Sequence, residues 1–257
     1  MSQIQPAAAA PAIGLSVVIP FYDEADNVAA LLGELATALR EVGRWELIAV
    51  DDASADDTTA RLAESFAVLG LRGRIIRHRR NRGQSAALAS GFDAARGDWV
   101  ATLDGDGQND PADLPRLLAA VSATVPGVAP ALVCGWRRRR QDDTVRRWSS
   151  RIANSVRAAV LGDATPDTGC GLKLVRRTVL ARLPRFDHMH RFLPALVRRD
   201  GGQVVSVVVN HRPRLHGRSK YGVWNRLWVG LVDLVGVMWL ARRALAAEDC
   251  EVSIHDD

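Results

Sequence analysis

The chain has 257 residues, 47% of them apolar and 25% charged, so it is long enough to bury a full core and ordinary in composition for a folded protein. A net charge of +5 and a pI near 9.7 favour an anionic partner: nucleic acid, a phosphorylated substrate or an acidic membrane face. Cys134, Cys170 and Cys250 are three in number and lack metal-type spacing, so neither a disulfide framework nor a zinc site is supported, and a reducing cytoplasm fits.

Residues 1–13, with Ala7 to Ala10 between prolines, lack a basic start and a long apolar stretch, and read as a disordered leader. Leu15 to Pro20 is a short β-branched strand. Val28, Leu31, Leu32, Leu35 and Leu39 then recur at helical spacing up to Gly43. Trp45 to Val50 is a second strand, followed by a helix that Ser54 or Asp56 would cap and that ends near Gly70. Arg74 to His78, Ser85 to Ala95 and Trp99 to Leu103 continue as strand, helix, strand. This alternation with short connections predicts a doubly wound, mostly parallel sheet. Further on, the expectations are a helix over Asp113 to Ala123, a strand over Ala131 to Cys134 and a helix over Arg146 to Leu161. Gly169 to Val175 reads as a loop feeding a strand, and Val204 to Val209 as a strand. Val223 to Ala241 is the longest apolar stretch. Asn225, Arg226 and Asp233 within it argue against a simple span, leaving a helix on a bilayer or packed on the domain.

Ligands of such sheets sit beyond the carboxyl ends of the strands, so the loops there carry the chemistry. Asp104-Gly105-Asp106-Gly107-Gln108 follows the fourth strand. Two carboxylates one residue apart and a nearby carboxamide suit Mg²⁺ or Mn²⁺, with substrate phosphates completing the shell. The glycines would turn the backbone and leave room for a ligand. The competing explanation is a polar turn ahead of a helix starting at Asp110-Pro111. Pro20-Phe21-Tyr22-Asp23-Glu24 and Asp51-Asp52-Ala53-Ser54 offer acids to a base or ribose, and Asp51 and Asp104 should share one crevice. Asn81-Arg82-Gly83 enters a helix, where backbone donors and Arg82 would meet phosphate.

These blocks, with Asp167-Thr168-Gly169-Cys170-Gly171, stand in the order seen in family 2 inverting glycosyltransferases. The chain resembles their polyprenyl-phosphate branch, the dolichol-phosphate mannosyltransferase-like and undecaprenyl-phosphate sugar transferases, over roughly residues 14–222. The resemblance implies a GT-A fold in which Pro20, Tyr22, Glu24, Asp51 and Asp52 line the nucleotide-sugar site together with Arg82, Gly83 and Asp104. Asp104, Asp106 and Gln108 would hold the metal. Arg137, Arg146 and Ser150 would bind an acceptor phosphate, as guanidinium forks do. The loop His216 to Gly222 would close over the donor, bringing Arg218, Ser219 and Lys220 to its phosphates. Asp104, Asp106 and Arg137 are thus the expected catalytic residues.

The function implied is metal-dependent, inverting transfer of a hexose from a GDP- or UDP-linked donor to polyprenyl phosphate. The alternative is transfer to a saccharide hydroxyl in envelope polysaccharide or lipopolysaccharide assembly, for which Asp167 or His188 would be the base. Nucleic-acid binding is not expected, because acidic pairs at three strand ends repel a polyanion and no recognition motif appears. The organisation expected is a leader over 1–13, the GT-A domain over 14–222, an amphipathic membrane-associated helix over 223–243 and a tail over 244–257. Tryptophans 224, 228 and 239 favour a bilayer interface, placing the protein peripherally on the cytoplasmic face of the inner membrane.

Overall fold

The computed structural model describes residues 14–122, 130–138, 160–213 and 223–243. The first half alternates as the periodicity predicts: β1 (Leu15–Phe21), α1 (Ala25–Ala38), β2 (Trp45–Asp51), α2 (Thr58–Val68), β3 (Gly73–Arg77), α3 (Gln84–Ala94) and β4 (Trp99–Thr102). A 3₁₀ turn at Pro111–Asp113 leads into α4 (Leu114–Ser122), β5 (Leu132–Trp136), β6 (Lys173–Arg176) and the one-turn helix α5 (Arg177–Leu180). A second 3₁₀ turn, Met189–Arg191, precedes α6 (Leu193–Arg199), β7 (Val204–Val208) and α7 (Val223–Arg242).

The seven strands form one sheet in the order β3-β2-β1-β4-β6-β5-β7. β1 pairs in parallel with β2 and β4, β2 with β3, and β5 with β7. Only β6 opposes its neighbours, β4 and β5. The carboxyl ends of β1 to β4 therefore open on one rim, as expected of a mostly parallel sheet flanked by helices.

Strand alternation divides the core between the two faces. Leu15, Val17, Ile19 and Phe21 of β1 face α1, α2 and α4, against Leu31, Leu32, Leu35, Leu62 and Leu117. Val18, Ile48, Val50 and Val100 face the other way, toward Leu88 and Phe92 of α3 and Leu193, Leu196 and Val197 of α6. α7 joins this second layer through buried Val237, and Arg199 Nε donates to the Leu240 carbonyl at 2.8 Å. On α7, Val232, Val235 and Trp239 stay exposed, and no helix among the described residues is long and apolar enough to cross a membrane.

Several expectations are corrected. Ser54 does not cap α2; its hydroxyl accepts from the Asp23 amide at 2.9 Å, while Asp56 Oδ1 accepts from the Thr58 amide at 3.0 Å. Asp110 does start the next turn, accepting from the Ala112 amide at 3.0 Å. Residues 177–180 and 193–199 are helical, although the spacing of Leu193, Leu196 and Val197 behind Pro194 already carried the signal. The helix expected over Arg146 to Leu161 lies outside the described residues except for Val160 and Leu161, which are helical. The leader over 1–13 and the tail over 244–257 also lie outside the described residues.

Candidate active site

The first two rim loops are laced together. Asp23 takes a left-handed backbone at φ 51°, and its Oδ1 accepts from the Ala55 amide at 2.8 Å. The Glu24 amide donates to Thr58 Oγ1 at 2.9 Å, and the Glu24 carboxylate accepts from Asn27 Nδ2 at 2.6 Å. Pro20 is half-buried and Tyr22 is exposed at the mouth of this loop pair. Asp51 is fully buried: Oδ1 accepts from the Ser54 amide at 2.9 Å, while Oδ2 accepts from the Thr59 hydroxyl and lies 3.5 Å from Arg77 Nε.

Asp52 turns away from these partners toward the third loop. Its carboxylate accepts from the amides of Arg82 at 3.0 Å and Gly83 at 2.7 Å, and contacts His78 Nδ1 at 2.6 Å. The motif alone suggests that those two amides meet phosphate; here they are engaged by Asp52, so Asp52 fixes the loop and the exposed Arg82 side chain is what remains for an anion. Gly83 adopts φ +84° at the start of α3, a conformation glycine takes without strain.

α3 delivers Gln84 to the fourth loop, where Nε2 donates to Asp104 Oδ1 at 2.7 Å. The Asp104 amide donates to Asn109 Oδ1 at 3.1 Å, and Asp106 Oδ1 accepts from the Gln108 amide at 3.1 Å. Gly107 makes the turn at φ +72°. Gly105 does not leave ligand space: a Cβ there would lie 2.7 Å from the Phe21 ring, so it is small for packing. Gly171 is small for the site itself, since a Cβ would lie 2.1 Å from Asp104 Oδ2. Burial and the nearby Asp106 charge push the Asp104 carboxyl up to about 6, against the pull of Lys173, Arg137 and the Gln84 hydrogen bond.

A crowded carboxylate pair, with Asp104 held above its usual range, fits a divalent cation. Its oxygens are the hard donors Mg²⁺ and Mn²⁺ take, and a bound cation would relieve the repulsion. Gln108 donates through Nε2 to the Arg212 carbonyl at 3.5 Å, which keeps its amide oxygen as a third hard donor. Among the described residues no cluster of three or more His, Cys, Asp or Glu is arranged to hold a metal ion.

The Asp167 to Gly171 loop closes the far side. Arg137 donates from Nε to Asp167 Oδ2 at 2.7 Å and from Nη2 to Oδ1 at 2.9 Å, and both side chains are buried. Burial alone would lower the Arg137 pKa; the Asp167 hydrogen bonds and charge outweigh it and raise it. Lys173, buried on β6, donates to the Cys170 carbonyl beneath Asp104. His190 Nδ1 meets Ser85 Oγ at 2.8 Å, and burial holds its imidazole neutral, with a pKa well below 6.5. A groove of about 500 Å³, lined by Arg82, Ser85, Ala86, Phe186, Asp187 and Met189, runs from this point along α3.

The structure thus gathers Asp104, Asp106, Gln108 and Arg137 at one place, next to the loops bearing Asp51, Asp52, Arg82 and Gly83. Arg146, Ser150, Arg218, Ser219 and Lys220 lie outside the described residues. Sequence reasoning missed Gln84, Asn109, Lys173 and His190. The first two stand inside or beside motifs already singled out, whereas Lys173 and His190 come from β6 and the turn before α6, where no motif pointed.

Residues 16–183 match the Glycosyl transferase family 2 model. The chain is 37% identical over 232 residues to a dodecaprenyl-phosphate galacturonate synthase of Rhizobium johnstonii, covering 89% of this chain and 67% of that protein. It is 35% identical over 225 residues to an undecaprenyl-phosphate 4-deoxy-4-formamido-L-arabinose transferase of Pseudomonas fluorescens, covering 87% and 64%. The chain thus spans about two thirds of the length of these relatives. Among solved structures, glucosyl-3-phosphoglycerate synthase from Mycobacterium tuberculosis, in complex with Mn²⁺, UDP and phosphoglyceric acid, superimposes with a TM-score of 0.66 at 20% identity, over 91% of this chain and 80% of that one.

Proposed function

The chain belongs to glycosyl transferase family 2, and from that premise we propose that it transfers a hexose from a GDP- or UDP-linked donor to polyprenyl phosphate with inversion. The observation that carries this reading is the crowded Asp104–Asp106 pair at the rim beside the amino end of α3, where a metal and a diphosphate would each find partners. The relatives named for polyprenyl-phosphate acceptors supply the acceptor class.

Tyr22, Glu24 and Asp51, with Pro20, would serve the base and ribose side. Arg82, on the loop that Asp52 steadies, would meet the diphosphate, as would Arg218 and Lys220. Asp104, Asp106 and Gln108 would hold Mg²⁺ or Mn²⁺, which would supply positive charge to offset that growing on the leaving diphosphate. Arg137, whose fork Asp167 fixes, directs its remaining donors at the acceptor phosphate together with Arg146 and Ser150. A phosphate monoester is already anionic at neutral pH, so attack on the opposite face of the sugar needs no strong base. The hydroxyl-acceptor alternative does need one, and its candidates are engaged: Asp167 with Arg137, and His188 between Asp187 and Asp233. α7 lays its exposed apolar residues on the cytoplasmic face of the membrane, so that the lipid tail stays in the bilayer.

The test is incubation of the full chain with labelled UDP- and GDP-hexoses, Mn²⁺, and either undecaprenyl phosphate or an oligosaccharide. Label is expected in the lipid phase, and Asp106→Ala abolishes it. Label appearing only on the oligosaccharide would refute the acceptor assignment, and near-normal turnover of Asp106→Ala the metal assignment.

A further inference from the structure

His188 and Asp233 are not absorbed by the mechanism above. His188 precedes the turn Met189–Arg191 with φ 63°, a left-handed backbone that few non-glycine residues adopt, histidine and asparagine more readily than most. α7 reaches this turn directly: Asp233 Oδ2 lies 3.0 Å from His188 Nδ1. Both atoms are buried, and among the described residues neither has a hydrogen bond of good geometry, so the two side chains meet at close range but not in line. On the ring's other side Asp187 Oδ2 lies 3.7 Å from Nε2.

The residues on either side of His188 connect it to the site. Met189 is buried in the same apolar layer as Val237 of α7. His190 grips Ser85, the second residue of α3, and its neighbour Gln84 holds Asp104. Asp187 borders the Gly83 end of the same helix: a Cβ on Gly83 would lie 4.0 Å from Asp187 Oδ1. One short segment, 187–190, therefore bridges α7 and the amino end of α3.

We infer that Asp233, acting through His188, is a positioning residue that sets the amino end of α3, and with it the Gln84–Asp104 contact, for donor binding. This rests on the glycosyltransferase reading above. The seating of α7 on the domain is then linked to the affinity for nucleotide, and by linkage the dependence runs both ways. A plain structural staple would hold α7 in place and leave nucleotide affinity alone.

The test uses the full chain, titrated calorimetrically with UDP and with GDP, each with Mn²⁺. Asp233→Asn keeps the size of the side chain, and His188→Asn keeps a residue that tolerates left-handed backbone. Each variant is expected to weaken binding of whichever nucleotide the unaltered chain binds by roughly 3- to 10-fold. The double variant should be no weaker than the poorer single, because the two side chains act as one unit. With undecaprenyl phosphate as acceptor, donor KM should rise by the same factor while kcat stays within about twofold. Unchanged affinity in both single variants overturns the inference, as does an additive loss in the double. An unaltered chain that binds neither nucleotide overturns the glycosyltransferase reading, and this inference with it.

Discussion

Asp104 shows how a single carboxyl trades stability for a task. Its pKa rises from 3.8 to about 6 on folding, so the folded state holds the proton more tightly than the unfolded chain. The stability this provides is present below about pH 4 and is lost as the pH rises through about 6; above that, ionisation weakens the fold by about 3 kcal/mol. Asp104→Asn should therefore raise the melting temperature of the metal-free protein at pH 7.5 while removing its stabilisation by Mn²⁺ with nucleotide. A variant that melts lower would contradict this account. For the native chain, stabilisation by Mn²⁺ should fade below about pH 6, as protons compete for Asp104. Arg137 and Asp167 behave in the opposite sense, each buried because the other is there. Asp167→Asn leaves the guanidinium uncompensated and should cost about 3–5 kcal/mol in urea denaturation. Replacing both with apolar residues of similar size should recover most of that stability and still lose transfer to lipid; a loss under about 1 kcal/mol in the single variant would mean that water reaches the pair.

The loop Asn81 to Gly83 is an element shaped from a distance. Asp52, just past the end of β2, accepts from two of its amides, those of Arg82 and Gly83. Asp52→Ala would strand two donors at about 1–3 kcal/mol each and loosen the entry to α3. Nucleotide affinity should fall about tenfold although no ligand contact has been removed, as equilibrium titration would show. The same loop marks where reading a sequence stops. The periodicities of β1 through β4 and their helices are local, and so were legible; so were the acids and glycines that punctuate the strand ends. Legible too was the general position of the Asp104–Asp106 pair, because a parallel sheet has only one rim at which its strands end. What each side chain bonds to was not. Asp52 looks like Asp51 in the sequence, yet one braces Arg82 and the other Ser54, a choice set by contacts 30 residues away for the first and 3 for the second. Lys173 was invisible for a related reason: β6 enters the sheet out of chain order, between β4 and β5, and nothing local announces an antiparallel guest.

At the scale of the whole molecule, α7 divides its surface between two neighbours. Val237 is buried in the domain, whereas Val232 is 69% exposed, Val235 59% and Trp239 58%, a stripe at helical spacing with Arg243 over the Trp239 ring at 5.9 Å. If the stripe meets a bilayer, replacing Val232, Val235 and Trp239 together by Ser should move the protein to the soluble fraction in flotation with anionic vesicles. The melting temperature should hardly change, because none of the three is in the core; undiminished flotation would refute the membrane role. The late arrival of β6 has a consequence for biosynthesis. Until residue 176 leaves the ribosome, a nascent chain can pair β3, β2, β1 and β4, yet its β4 border is left open. The Thr102 hydroxyl has no Gly171 carbonyl to bond, and the acidic loop after β4 has no backbone pressed against it. Cation affinity should thus switch on abruptly during translation rather than grow with length, and chains stalled short of that strand are the ones most exposed to edge-to-edge aggregation.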